Sequence, residues 1–221
     1  MHNVYGGVYS DKSNACFYNG EFFNDKLISV FFDQQFIKFF SISIHGWKPI
    51  GIEFKVTKAD KNVVYEIEGQ NALKVIEDYI GEIKQENIDN FLHPFCVSNE
   101  NYKSLASIKS INKDGSISFF KYVKEGEKIK ITIPSTQKNV MKEIEEKIKN
   151  IKCDGLFMFS CMGRYAYYGD LIEFEIQKVY ETLHKPFAGF LSFGEIGSCD
   201  TNKHSILQNQ TITIVFFKVI K

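Results

Sequence analysis

Short runs of β-branched and aromatic residues recur along the chain, and turn-forming residues separate them. This alternation restricts the fold more than any other feature of the sequence. The first four runs are broken by the segments DQQ, HGWKP and KADKN. Runs of this length and composition are typical of β-strands. The sequence therefore predicts strands at residues 27–32, 39–44, 52–57 and 63–67.

Three segments instead repeat their apolar residues with helical period. A short helix is predicted at residues 71–80, with Asn71 as its N-cap and Gly81 at its end. Pro134, Ser135 and Thr136 open a longer helix that runs to about Asn150. A second long helix is predicted from Asp170, because Asp170 and Glu173 have the spacing of a capping box.

The remaining segments add further strands and complete the predicted fold. Residues 82–115 are predicted to be irregular apart from a short strand near Phe95. We predict an α+β chain with mixed, largely antiparallel sheets and two long helices packed on them. The additional strands are at residues 117–122, 128–133 and 154–160, in FAGFLSF and in TITIVFFKV.

A weak internal repeat relates the two ends of the chain. The segment GGVYSDKSNACFYNGEFFNDKLISVFF resembles GFLSFGEIGSCDTNKHSILQNQTITIVFF, which aligns residues 27–32 with residues 213–217. Only the second copy is preceded by a strand, the residues SCMGR and a helix. We therefore expect that the front of the first repeat is missing, as in a short natural protein or a fragment. An apolar surface without its cover, or a homodimer, is then expected around residues 1–60.

Several classes of protein lose support from composition and motifs. The 27 basic and 27 acidic residues cancel, so there is no electrostatic signature of nucleic-acid binding. No apolar run approaches the ~20 residues of a membrane span, and the N-terminus lacks the pattern of a signal peptide. Five cysteines without a C-x-x-C pair predict a cytoplasmic chain with reduced thiols, no disulfide and no zinc. Walker A, G-x-G-x-x-G and G-x-S-x-G motifs are absent from the sequence, so no cofactor is expected.

The segment FSCMGR is the strongest site candidate, because it joins a predicted strand to a predicted helix. Ligands of such sheets tend to bind beyond the carboxyl ends of strands. Here Ser160 and Cys161 end the strand, Gly163 permits a close approach to the backbone, and Arg164 offers a fork suited to an anion. The alternative is an ordinary loop whose arginine pairs with Glu195 or Asp170.

Two further segments hold candidate ligand-binding residues. His45 follows a strand end in SIHGWKPIG, where it can donate to an anionic ligand or serve only as a turn residue. Gly194 and Glu195 lie in FGEIGS, where a carboxylate flanked by glycines can bind an ammonium group or pair with Arg164.

An enzymatic alternative uses Cys161 as a nucleophile. A catalytic thiol needs a base, and no local motif supplies one. Only the fold can bring His45 or His204 close enough, so an inert packed cysteine is the favoured interpretation.

The combined motifs resemble the FIST family of sensory domains. The resembling segments are GGVYSD, HGWKPIG with FKVTKADKNVVYEIEG, FSCMGR, and GFLSFGEIG with TITIVFF. Their order matches the second part of the family's N-terminal domain at residues 1–70, followed by its C-terminal domain at residues 71–221. Tyr165 follows the arginine where a small residue is expected, and it narrows the segment.

The resemblance implies a bacterial cytoplasmic sensor for a small ligand, such as an amino acid or a small organic acid. It also implies a signalling output partner, no catalytic activity, and ligand contacts from Ser160, Cys161, Gly163, Arg164, His45, Gly194 and Glu195. No nucleic acid, membrane, metal or cofactor is expected to bind. The rival to this sensor, beside the thiol enzyme, is an interaction module that binds a partner protein through exposed aromatic residues and takes no ligand.

Overall fold

The structure is a computed structural model that describes residues 4–9, 16–23, 27–83, 93–199 and 202–220. Its mixed, mostly antiparallel sheets and packed helices confirm the predicted α+β class. The helices are α1 (Ala72–Ile80), α2 (Gln137–Ile148), α3 (Met162–Tyr168) and α4 (Ile172–Leu183). In chain order the strands are β1 (Gly6–Gly7), β2 (Cys16–Tyr18), β3 (Glu21–Phe23), β4 (Ile37–Ile44), β5 (Trp47–Asp60), β6 (Val63–Ile67), β7 (Gln70–Asn71), β8 (Phe95–Ser98), β9 (Lys103–Ala106), β10 (Ile108–Ile111), β11 (Ile117–Phe119), β12 (Lys128–Pro134), β13 (Gly155–Cys161), β14 (Phe187–Ser192), β15 (Glu195–Cys199), β16 (Asn202–Gln208) and β17 (Ile212–Val219).

A four-stranded sheet in the order β14-β13-β17-β4 carries the candidate site. β13 and β14 run parallel, while β17 is antiparallel to both β13 and β4. Helices α2 and α4 bury their apolar stripes on one face of this sheet. The core between them contains Ile44, Val140, Ile144, Ile148, Leu156, Met158, Val179, Ile212, Ile214 and Phe216.

A small sheet covers part of the opposite face of the four-stranded sheet. It has the order β1-β15-β16, and β15 pairs with both neighbours in antiparallel register. Adding a Cβ at Gly197 of β15 would bring it within 2.6 Å of Cγ2 of Thr213, so the two sheets lie very close together there. This close approach explains a glycine in the middle of the strand.

An eight-stranded sheet with helix α1 forms a second core. Its main path is β10-β11-β6-β5-β12-β8-β9, and β7 pairs with β6. The core includes Val56, Val64, Ile67, Ile76, Phe95, Phe119 and Ile129. The boundary predicted near residue 70 falls within this sheet, because β5 and β6 precede it and β8 to β12 follow it. That boundary stays a prediction.

Three local predictions were wrong, each for a different physical reason. Residues 27–32 form no strand, because no ladder partner lies beside them in the described chain. Residues 82–115 contain the expected short strand near Phe95, which is β8, but they also contain β9 and β10, where the few apolar residues per strand gave little periodicity. The capping box at Asp170 does not form, because Gly169–Leu171 is a 3-10 turn and α4 begins after Leu171 without a side-chain cap.

The repeat prediction fails with the first of these strands. Residues 27–32 cannot superpose on part of β17, because β17 is a regular strand and residues 27–32 are not. The two glycine segments are related differently, since Gly6 and Gly7 of β1 pair directly with β15. Ser10 and Asp11 of GGVYSD lie outside the described residues.

Candidate functional site

The candidate site lies where the parallel strands β13 and β14 end. Cys161, the last residue of β13, is in register with Ser192, the last residue of β14. The chain then enters α3 at once, with no loop between strand and helix. The predicted ligand-facing loop is therefore replaced by a helix that contains Gly163 and Arg164.

Strand alternation divides the predicted site residues between the two faces of the sheet. Successive side chains of a strand point to opposite faces. Ser160 is in register with Ile212 of the helix-side core, whereas Cys161 is in register with Ser192 on the side of β15. The adjacent residues Ser160 and Cys161 therefore lie on opposite faces of the sheet.

The carboxyl cluster, composed of Cys161, Ser192, Glu195 and Thr211, lies on the β15 side. The hydroxyl of Ser192 donates to Oε1 of Glu195 at 2.6 Å. Thr211 donates to Oε2 twice, from its hydroxyl at 2.7 Å and from its backbone N–H at 3.3 Å. The Cys161 thiol also hydrogen-bonds this carboxyl group. All four donors converge on one fully buried side chain.

Burial controls the protonation of this cluster. It raises the pKa of Glu195 to about 7, although the hydrogen bonds from Ser192 and Thr211 oppose the shift. Burial also raises the pKa of the Cys161 thiol to about 12, and the neighbouring Glu195 adds to this effect. Glu195 can therefore gain or lose a proton near neutrality, while Cys161 stays a thiol.

Gly7 and Val8 form a short segment of backbone, the strap, which covers the outer side of the carboxyl cluster. The Val8 N–H donates to the Gly194 carbonyl at 2.8 Å, and the Phe193 N–H donates to the Val8 carbonyl at 2.7 Å. Gly194 has a φ of +153°, which disfavours any residue with a Cβ. A Cβ at Gly7 would lie 2.8 Å from the Cβ of Ser192, so the strap lies directly against the cluster.

The arginine cluster, composed of His45, Arg164, Glu175 and Gln210, lies on the helix side. Arg164 and Glu175 form an ion pair in which both side chains are fully buried. Nε of Arg164 donates to Oε2 of Glu175 at 3.3 Å, and Nη2 donates to Oε1. Nη1 donates to the carbonyl of His45 and, at 3.4 Å, to that of Gln210. The guanidinium joins α3, α4, β4 and the start of β17.

This arrangement corrects the expected partner of Arg164. The sequence suggested Glu195 or Asp170, but the partner is Glu175 on the next helix. Glu195 lies on the other face of the sheet, so it cannot serve as the counter-ion. With no exposed surface, the guanidinium offers a ligand no direct access in this structure.

The other predicted site residues contact neighbouring residues of the fold. Nδ1 of His45 accepts the backbone N–H of Trp47 at 3.0 Å, which fits a turn residue. The Ser160 carbonyl accepts a 3.4 Å bond from Ser192, while the buried Ser160 hydroxyl has no partner in the described part of the chain. A Cβ at Gly163 would lie 2.3 Å from Nε2 of Gln210, so the Gln210 side chain would have to move to admit a larger residue. The side chain of His204 lies outside the described residues.

Sequence reasoning missed Ser192, Thr211 and Glu175. Glu175 carried a usable signal, because it interrupts the apolar stripe of α4 between Ile172 and Val179. A charge in such a stripe needs a buried partner. Ser192 and Thr211 gave no comparable signal, because hydroxyl residues are common at strand ends.

Polar contacts continue from the carboxyl cluster along the space between the sheets. Gln208 donates to Ser43 at 2.8 Å, and Ser43 shares a 3.0 Å hydrogen bond with Thr213. Beside Gly194, Asn209 is almost fully buried, and its Oδ1 has no hydrogen-bond partner among the residues that the structure describes. Buried acceptors of this kind are usually satisfied by protein, water or ligand.

Two open depressions of the surface have volumes of about 170 Å³ and 240 Å³, and they lie away from this polar layer, against the second core at Tyr79 and at Val56. Among the described residues, no group of three or more His, Cys, Asp or Glu side chains is placed to hold a metal ion. In that same part of the chain, no helix is long and apolar enough to cross a membrane.

Two family models match most of the chain. The FIST N domain matches residues 2–70, and the FIST C domain matches residues 72–198. Comparison with curated proteins and with solved structures gave no significant match. The matched residues include the strap and every member of the two clusters except Gln210 and Thr211.

Proposed function

Because the chain belongs to the FIST family, whose domains are sensory domains of signal transduction, we propose that it binds a small ligand at the carboxyl cluster and reports this to a signalling partner. The proposal includes a cytoplasmic bacterial setting and an amino acid or related metabolite as ligand.

One observation carries this proposal: a buried carboxyl group that is surrounded by donors and lies near an unsatisfied acceptor. Glu195 supplies a carboxylate whose present donors are all neutral groups, and Oδ1 of Asn209 supplies an acceptor that has no partner among the described residues. A ligand that brings several donors, such as a primary ammonium group, can satisfy both acceptors. Hydrogen bonds that involve charged groups are about twice as strong as neutral ones.

Entry of the ligand requires only the strap to open. Two backbone hydrogen bonds join Val8 to the β14–β15 turn, and Gly194 gives that turn conformational freedom. Local openings of this size occur well below the global free energy of unfolding. Gly194, Glu195 and Cys161 then face the ligand, while Ser160 contributes its carbonyl behind Ser192.

Arg164, His45 and Gly163 have a positioning role in this proposal. Arg164 holds the start of α3 against Glu175 and the His45 carbonyl, and Gly163 allows the helix to pack on Gln210. A direct contact between Arg164 and an acidic ligand would require the ion pair with Glu175 to break.

A ligand screen with two matched variants tests the proposal. Amino acids, amines and small organic acids are screened by thermal shift, and hits are measured by titration calorimetry. Glu195→Gln should weaken an ammonium ligand about tenfold or more, because a charge-assisted bond contributes about 1.5–3 kcal/mol. Glu127→Gln is the control, since Glu127 is also buried and bonded to Asn99 but belongs to the eight-stranded sheet region. Equal affinity of Glu195→Gln and the wild type would contradict the site.

The thiol-enzyme alternative loses support from the state of Cys161. Nucleophilic catalysis needs a thiolate, and burial raises the pKa of this thiol to about 12. The nearest ionisable group is Glu195, whose charge disfavours the thiolate further. Cys161 fits a donor within the carboxyl cluster better than a nucleophile.

A further inference from the structure

Ten consecutive residues, 27–36, are all solvent-exposed although most of them are apolar. We refer to them as the exposed segment. Phe31 exposes 93% of its surface and Leu27 exposes 87%. Such side chains are normally buried, so their exposure over a continuous stretch indicates a surface made for contact. The large apolar members are Leu27, Ile28, Val30, Phe31, Phe32 and Phe36.

The exposed segment is held beside the edge strand β4. A turn at Asp33 reverses the chain, with the N–H groups of Phe36 and Ile37 donating to the Asp33 carbonyl. The rings of Phe32 and Phe39 then meet with centroids 4.8 Å apart. Within the described residues, β4 pairs only with β17, so this side of the four-stranded sheet is an open edge.

The sequence of the segment lacks the features that normally protect an edge. Residues 27–32 read LISVFF and contain no charge, proline or glycine. Edges are usually protected by charged residues, proline or bulges. An uncharged segment with high β-propensity at an open edge is a template for pairing with another extended chain.

We propose that two copies of this chain associate about a two-fold axis, with the exposed segments paired antiparallel next to strand β4 of each copy. A two-fold axis brings the same surface of each copy together, and antiparallel strand pairing has this symmetry. The paired segments then lie between the open edges of the two sheets, and the two-fold symmetry ends the association at two copies.

The exposed area fits a stable dimer better than a monomer. Weighting the six apolar residues by their exposed fractions gives an apolar surface of about 700 Å² per copy, with a buried aromatic taken as roughly 200 Å². The largest apolar patch of a typical monomer is about 300–600 Å². Complete burial of both surfaces would remove about 1,400 Å² from solvent, an upper limit that lies within the range of about 1,200–2,000 Å² for stable interfaces.

The test compares the wild-type chain with Phe31→Lys by sedimentation velocity over a wide concentration range. Phe31 is almost fully exposed, so the substitution should leave the fold intact, which circular dichroism and the melting temperature check. The wild type should sediment with twice the mass of the chain. Phe31→Lys should raise the dissociation constant about 30-fold or more, as expected for a central aromatic contact. Tyr122→Lys, with Tyr122 63% exposed outside this edge, should change nothing.

Hydrogen exchange locates the contact independently of the mass. Backbone amides of residues 28–32 should exchange slowly in the wild type and quickly in Phe31→Lys. Three results would overturn the proposal: a wild type that is monomeric at every concentration, a dimer that Phe31→Lys does not weaken, or open-ended assembly into larger particles. The last result would mean that the edge aggregates without a two-fold axis.

Discussion

Arg164→Ala tests the buried ion pair most directly. In the wild type, the guanidinium makes both contacts to Glu175 and binds the carbonyls of His45 and Gln210. Its removal leaves the Glu175 carboxylate buried, with one remaining bond of 3.4 Å from Gln137. Breaking a buried pair by removing one partner costs about 3–5 kcal/mol. We therefore expect the free energy of unfolding to fall by about 4 kcal/mol, a large part of the total of about 5–15 kcal/mol.

Urea unfolding followed by circular dichroism measures this loss, with the m-value checked for constancy. Arg164→Met combined with Glu175→Leu should recover part of the stability, because no buried charge is left alone while two carbonyls still lack their donor. Lys58→Ala, which breaks an exposed pair with Glu66, is the control and should cost well under 1 kcal/mol. A loss below about 1 kcal/mol for Arg164→Ala, or a double variant as unstable as the two singles combined, would refute the argument.

A further substitution, Arg164→Lys, separates the two roles considered for Arg164. If the guanidinium binds an acidic ligand, Arg164→Lys should lower the affinity for that ligand about tenfold, because an ammonium group cannot form the two parallel hydrogen bonds of a planar guanidinium. If Arg164 only positions α3, the melting temperature falls while the affinity in the folded state stays constant. Titration calorimetry and thermal melting on Arg164→Lys distinguish these outcomes.

Three further predictions address neighbouring residues. Cys161 should resist alkylation by iodoacetamide near neutral pH, because its thiol has a pKa of about 12; rapid modification seen by mass spectrometry would contradict this. The folded-state pKa of Glu195 is raised to about 7 from 4.5, so its proton stabilises the fold fully below about pH 4.5, and this contribution is lost as the pH rises through 7. Glu195→Gln should therefore remove a difference of roughly 3 kcal/mol between these limits from the profile of unfolding free energy against pH. Parallel profiles for the variant and the wild type would contradict the raised pKa. Gly189→Ala should destabilise the chain by more than about 2 kcal/mol, because its Cβ would lie 1.9 Å from the Met158 carbonyl oxygen. Gly6→Ala is the control, since a Cβ there meets no atom within 4 Å. Equal urea midpoints for the two variants would exclude this clash.

Regular elements of the fold were predictable because their signals are local. The N-cap Asn71 forms as expected, with a side chain that accepts from Lys74. Helix α2 begins directly after the predicted opening residues, the last of which, Thr136, accepts from Asn139. β4, β6, β12 and β13 lie close to their predicted bounds, since β-branched and aromatic residues concentrate there. These features depend on the segment itself more than on its surroundings.

Features that depend on a partner could not be predicted in the same way. Residues 27–32 have the composition of a strand, but a strand also needs a neighbour with which to share hydrogen bonds. The sequence of α4 shows that Glu175 interrupts an apolar stripe, yet it does not show which cation neutralises it. Glu195 was recognised as a candidate, while its donors Ser192 and Thr211 depend on how β14, β15 and β17 meet.

The position of the motif FSCMGR at the end of β13 explains why it contains both a cysteine and an arginine. Cys161 points to the β15 side and donates to Glu195, while three residues later Arg164 points to the helix side and binds Glu175. The backbone between them is fixed, since the Cys161 N–H donates to the Thr211 carbonyl at 2.9 Å. Thr211 itself donates to Glu195, and the neighbouring Gln210 carbonyl accepts from Arg164. A change in the protonation or contacts of Glu195 therefore acts on the same two backbone segments that position α3. In the proposed function, this continuity would connect a ligand at the carboxyl cluster to the helical face of the domain.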